Sequence, residues 1–172
     1  FPLETGERVF SSETGQLQST GLETDVAMLN GAYLFIQPPD GEVALSRRGD
    51  FGVDTENRLV DGVGNLILSD GLQPIILPPF TAIKFSDNGE VLVHQPGALP
   101  GDFTSLGFLG SASPPANSLT KSLDGKIRNL DGSVPDVDQS GLFAQGVLEG
   151  SNVNAIEEMV FNMDMQRQFE IN

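Results

Sequence analysis

One histidine and a scatter of aspartates are the only side chains from which catalysis or metal binding could be built. His94 would have to serve any Ser-His-Asp relay or zinc site, yet no nucleophile elbow or second ligand lies near it. It follows the alternation Val91-Leu92-Val93 and reads as an ordinary strand residue. Asp61, Asp70, Asp87, Asp124 and Asp131 suggest calcium, but no EF-hand loop is present, and Asp-Gly is expected hairpin chemistry. Asp136 and Asp138 have the residue types of a glycosidase acid pair, although exposed loop carboxylates are far commoner. No glycine-rich phosphate loop occurs. The reading is a protein that is not an enzyme, with no catalytic residue, cofactor or metal.

Arg47-Arg48-Gly49-Asp50-Phe51 is the other candidate, two adjacent cations in a chain of net charge −15. Taken alone it predicts a turn between strands with ion pairs to nearby acids. The nine Lys and Arg form no basic stripe of the kind that neutralises phosphates, which argues against nucleic-acid binding and anionic membranes. The chain has no Cys, hence no disulfide or thiolate site. No signal-peptide pattern and no apolar run of about 18 residues is visible, so membrane insertion is not expected.

The elements that must position these residues are short. With 20 Gly and 11 Pro in 172 residues, the composition favours turns and β structure. Asn-Gly or Asp-Gly occurs at 30–31, 40–41, 61–62, 70–71, 88–89, 124–125 and 131–132, and these dipeptides accept the positive φ of tight hairpins. Between them run Ala32 to Gln37, Glu42 to Ser46, Asn65 to Leu68, Pro74 to Leu77, Ala82 to Phe85 and Glu90 to His94. Phe103 to Leu109 offers one more strand, Ser111 to Ser118 reads as a loop, and Leu142 to Leu148 as an extended return. The expected fold is mainly β, an antiparallel barrel or sandwich-like domain over 25–137. It is inserted between an extended connector, 1–24, and a return with a C-terminal α-helix, 138–172.

That helix starts near Asn154, an N-cap with Glu157 three residues on. Its apolar residues fall on two faces: Val153, Ile156, Met159, Val160 and Met163 on one, Phe161, Met165 and Phe169 roughly opposite. Two apolar faces need two neighbours, either inside a thick core or in an assembly where each helix touches more than one other. The pattern still runs at Ile171 without a stop signal, and is expected to continue in the native protein.

Asn30-Gly31-Ala32-Tyr33-Leu34-Phe35-Ile36, then Pro39-Asp40-Gly41 and Ser46-Arg47-Arg48-Gly49-Asp50-Phe51, resemble the flagellar hook–basal-body rod family. Its pattern is a Gly and aromatic strand, a P-D-G turn, then T-R-x-G-x-F, with Arg47, Gly49 and Phe51 here on the motif positions and Ser46 in place of Thr. Asp25-Val26-Ala27 and Arg58-Leu59-Val60-Asp61-Gly62 match as well. So do Leu148 to Asn154, which includes Ser151 and Asn152, and Gln166 to Glu170. The resemblance covers about 5–80 and 140–172. Glu149-Gly150-Ser151, Phe169 and the short middle resemble the proximal rod type, and Gln166 is shared with the distal type.

The resemblance implies an axial structural protein of the bacterial flagellum, located in the periplasmic rod. Its terminal helices would form an inner tube and its β domain an outer layer. It implies self-association, other rod proteins as partners, and export unfolded through the flagellar export apparatus without a cleaved signal peptide. On this reading the chain is a core fragment lacking the N-terminal helix and part of the C-terminal one, and Ser151, Asn152, Val153, Asn154, Ile156, Met159, Val160, Phe161, Met163, Met165 and Phe169 make its assembly interface. The alternatives are a distal rod or hook subunit, or a secreted β-domain module that binds a glycan.

Overall fold

A computed structural model describes residues 16–150. Fifteen short strands follow in chain order: β1 Leu17–Ser19, β2 Val26–Met28, β3 Tyr33–Gln37, β4 Ala44–Ser46, β5 Gly52–Val53, β6 Leu59–Val60, β7 Leu66–Ile67 and β8 Ala82–Phe85. Then come β9 Glu90–His94, β10 Thr104–Phe108, β11 Ser111–Ala112, β12 Leu119–Lys121, β13 Ile127–Asn129, β14 Phe143–Gln145 and β15 Val147–Glu149. The described residues contain no α-helix; a 3-10 turn at Ala116–Ser118 is their only helical piece. The C-terminal helix and its interface residues, Ser151 to Phe169, lie outside the described residues.

Every ladder is antiparallel. The largest sheet has the order β12-β13-β4-β3-β7-β6-β5, with β11 also on β3. A second sheet runs β10-β9-β8, and two pairs, β14-β2 and β1-β15, complete the set. β3 is the hub. Its Tyr33-Leu34-Phe35-Ile36 run is continuously apolar because both faces are covered. Leu34 and Ile36 join Ile83, Phe85, Val91 and Val93 in the main core, while Tyr33 and Phe35 join Leu45, Leu68, Leu119 and Ile127 in a smaller one. In β9 the alternation is that of a strand with one covered face: Val91 and Val93 inside, Leu92 and His94 toward solvent.

Three expectations need correction. The strands do not close a barrel. β12 and β5 end the large sheet without meeting, and strands of two to five residues cannot supply the tilt and stagger that closure requires. Pro74 to Leu77 is not a strand but two isolated bridges, Leu68 with Pro74 and Arg58 with Ile76. Pro74 has no N–H to give a ladder, and Leu72 before it takes a left-handed turn at φ 59°. The stretch from Ser111 is not wholly loop: Ser111 and Ala112 are buried and paired with β3. Remote partners hold them, since the Ser111 carbonyl accepts from the Asp138 and Gln139 amides at 3.1 and 3.0 Å.

The Asn-Gly and Asp-Gly signals also divide. Gly31, Gly89, Gly125 and Gly132 have positive φ; Gly41, Gly62 and Gly71 do not. At Gly62 the need is space, because a Cβ would collide with the Asp50 carboxylate.

Candidate functional site

The two ends of the described chain leave the β domain side by side. β1 pairs with β15 in the register Leu17 to Glu149, Gln18 to Leu148 and Ser19 to Val147. The Thr20 amide donates to the Gly146 carbonyl at 2.8 Å, and the Gly150 amide donates to Gln16. Directly behind, β14 pairs with β2, and the Gly146 amide donates to the Asp25 carbonyl at 2.7 Å. We call this paired exit the neck. Every β1 residue is exposed, so the neck has little apolar burial of its own and must be held by other means.

The residues that hold it come from the segment after β4, where Arg47, Gly49 and Phe51 occupy alternate positions. The Arg47 guanidinium stands 3.8 Å from the Glu149 carboxylate, and both side chains are only 6% exposed. Its Nη2 also donates to the Gly31 carbonyl at 2.6 Å, and its Cζ lies 4.6 Å above the Tyr33 ring. Burial pushes the Tyr33 hydroxyl above its ordinary pKa, with the Arg47 charge opposing it. Gly49 lies flat against β2: the Val26 amide donates to the Gly49 carbonyl at 3.0 Å, and a Cβ at Gly49 would overlap the Val26 carbonyl oxygen. Phe51 closes the series. Its amide donates to the Thr24 carbonyl at 3.0 Å, and its ring meets Phe85 edge-on at 5.4 Å in the main core.

The intervening residues have a different task. The Arg48 amide donates to Ser46 Oγ at 2.9 Å, and the Arg48 side chain pairs with Asp50 at 2.9 Å. Residues 47–51 are therefore not a simple turn with surface ion pairs. Only Arg48 fits that description.

One side chain joins the neck to the second sheet. Gln145 donates from Nε2 to the Ile83 carbonyl at 2.8 Å and the Glu23 carbonyl at 2.7 Å, and its Oε1 accepts from the Phe85 amide at 3.3 Å. The Glu23 carboxylate accepts from the Ile83 amide at 3.3 Å. Two side chains thus occupy the edge of β8 that another strand would otherwise take.

The remaining candidates are in ordinary surroundings. His94 Nδ1 meets Thr81 Oγ1 at 2.8 Å and Nε2 meets the Leu99 carbonyl at 2.9 Å. Its ring stands edge-on to Phe103. Asp138 accepts from the Ser113 and Ser140 amides at 3.2 and 3.0 Å. Burial would raise its pKa, but the Ser140 side chain together with the Ser113 and Ser140 amides outweighs it and holds the carboxyl below its usual range. Among the described residues no three His, Cys, Asp or Glu side chains converge as metal ligands would. None of their helices is long and apolar enough to cross a membrane.

The arrangement fastens chain segments to one another. Sequence reasoning marked Arg47, Gly49 and Phe51 but not their partners. Glu149 and Tyr33 stood within quoted motifs without an assigned role, and Gln145 carried no local signal at all.

Comparison with known proteins bears on the same segments. Residues 144–172 match the family described as flagellar basal body rod FlgEFG protein C-terminal. The flagellar basal-body rod protein FlgG of Borreliella burgdorferi is 35% identical over 96% of this chain and 63% of its own length. That of Buchnera aphidicola from Acyrthosiphon pisum is 30% identical over 99% of this chain and 68% of its own length. The rod protein FlgF of Salmonella typhimurium is 30% identical over 91% of this chain and 64% of its own length. The chain thus spans roughly two thirds of the length of these curated relatives.

Proposed function

The chain belongs to the flagellar basal-body rod protein family, and from that premise we propose that it is a structural subunit of the rod, of the proximal type. Its β domain forms the outer part of the subunit. The C-terminal segment beyond the neck, 151–172, packs into the shaft with copies of itself and with other rod proteins after passage through the flagellar export apparatus, and the N-terminal segment serves as a connector. The subunit works in the periplasmic part of the basal body and has no enzymatic activity. The division at 1–24, 25–137 and 138–172 belongs to this reading.

The observation that carries it is the paired neck. Two chain ends leave the domain antiparallel and are bolted to it at Arg47 and Glu149, as a domain must be if its orientation on a shaft is to be fixed. The proximal assignment rests on Glu149-Gly150-Ser151, Phe169 and the short middle of the chain.

The two-faced segment supplies the test. Met159→Glu or Phe161→Glu, in the protein as the cell makes it, should abolish rod assembly and motility while the β domain stays folded. Normal motility in both variants would overturn the reading. Rods that lack only their distal portion in a strain without this protein would overturn the proximal assignment.

A further inference from the structure

Beside the neck lies a cleft of about 460 Å³. Leu148 and Gly150 of the exit strand line it, together with the turn that carries Val63 and the β12–β13 tip at Lys126 and Ile127. Val63 is 56% exposed and Leu148 only partly buried, so the cleft offers apolar surface for cover. Its charges choose no occupant. Arg47 pairs with Glu149 and Arg48 with Asp50, while the Asp61 carboxylate accepts from the Val63 and Asn65 amides and from Asn65 Nδ2. Connectivity does choose one. Gly150 is the last residue described, and 151–172 run on directly from the lining. No residue of β1 lines the cleft, so the incoming segment has no such start.

We infer that Val153 and Ile156, at the start of the C-terminal segment, seat in this cleft of their own subunit. They are the first large apolar residues after Gly150. Three residues of extended chain span about 10 Å, roughly the width of a compact space of that volume, so Val153 can reach any of its walls. In a helix the two positions share a face and can enter together. A short tether also gives its segment an effective concentration of about millimolar, which a second copy reaches only in a comparably concentrated solution. The inference rests on the helical reading of this segment and deepens the proposed function. One apolar face begins against the subunit's own β domain, and the face of Phe161, Met165 and Phe169 is left for neighbouring subunits.

The chain has no Cys, so introduced thiols report the seating without background. Val63→Cys with Ile156→Cys, in the whole chain at high dilution, should close an intrachain disulfide at least about tenfold faster than Val63→Cys with Ala155→Cys. Ala155 adjoins Ile156 in sequence but is turned away from the Val153 and Ile156 face, so an unseated segment would give both pairs the same rate. Val153→Asp in the first pair should slow closure about tenfold, the worth of one valine's burial, with an unchanged circular-dichroism spectrum. Equal rates for the two pairs, or no effect of Val153→Asp, would overturn the inference. A disulfide that joins two chains in place of closing within one would overturn it in favour of a second copy. Phe161→Glu should leave the intrachain disulfide intact, so failure here and failure of the shaft reading are told apart.

Discussion

Glu149→Gln is the most direct probe of the neck. The substitution keeps the shape of the side chain and removes its charge, leaving the Arg47 guanidinium buried at 6% exposure. Two unit charges 3.8 Å apart attract by about 4 kcal/mol at an effective dielectric of about 20. Part of that survives, because the amide oxygen still presents a dipole and Arg47 keeps the Gly31 carbonyl and the Tyr33 ring. Removing one partner of a buried pair costs about 3–5 kcal/mol when the charge is stranded; with this residual solvation the expected cost is about 2–3 kcal/mol. The loss should be local. Native-state amide exchange at Thr20 and Gly150, both donors across the neck, should speed up by at least about thirtyfold, the equivalent of about 2 kcal/mol in opening free energy. The Phe51 amide, bonded to Thr24 on the core side, should change far less. Because the pair is buried, 0.5 M salt should not abolish the difference. A urea-unfolding cost below about 0.5 kcal/mol together with unchanged exchange at Thr20 and Gly150 would refute the idea that this pair holds the neck.

Three further outcomes follow from the same geometry. Gly49→Ala drives a Cβ into the Val26 carbonyl and should cost about 3 kcal/mol or more in urea unfolding; Gly52→Ala, with nothing within 4 Å of the added carbon, is the control. Gln145→Leu strips partners from the Ile83 and Glu23 carbonyls and the Phe85 amide and should cost about 2 kcal/mol, read by thermal melting. The double hydrogen bond from Arg128, with help from the Lys126 amide, holds the Asp124 carboxyl at about 2 against the opposing effect of burial. Its folded pKa lies below its unfolded one, so the stabilisation is complete above about pH 4 and is lost as pH falls through about 2. Since the Asp124 side chain is 38% exposed, the full shift, about 2.5 kcal/mol, is discounted to about 1 kcal/mol. Asp124→Asn should show that deficit at pH 7 by urea unfolding and none below about pH 2.

How much of this was legible in the sequence depended on whether the cause was local. Ala82 to Phe85 and Glu90 to His94 were readable because one face is covered and the other open, which writes a period of two into the chain. β3 was readable for the opposite reason, an unbroken apolar run under two cores. β11 was missed because Ser111 and Ala112 are small, and they are ordered by Asp138, Gln139 and Gly141 about thirty residues away. The hairpin β12–β13 announced only its turn at Asp124-Gly125, since Leu119 and Ile127 are too few to show a pattern. At the neck, a motif gave three residues on one side of each contact. Nothing in a one-dimensional reading pairs position 47 with 149, or 145 with 83 and 85.

The placement of those three residues explains why one short segment can serve both chain ends. Arg47, Gly49 and Phe51 form a row of attachments along one five-residue segment, within which the Phe51 amide also donates to the Gly49 carbonyl at 3.0 Å. Arg47 meets the outgoing strand at Glu149, Gly49 meets β2, the strand after β1, at Val26, and Phe51 enters the core beside Phe85. A row bonded to β2 at one position and to the exit strand at another couples the exit to the domain behind the entry. Each attachment also differs in kind: a buried charge pair, a backbone contact too close for any side chain, and an aromatic anchor. Salt, strain and solvent exposure therefore act on different points of the row, and no single one of these perturbations releases all three.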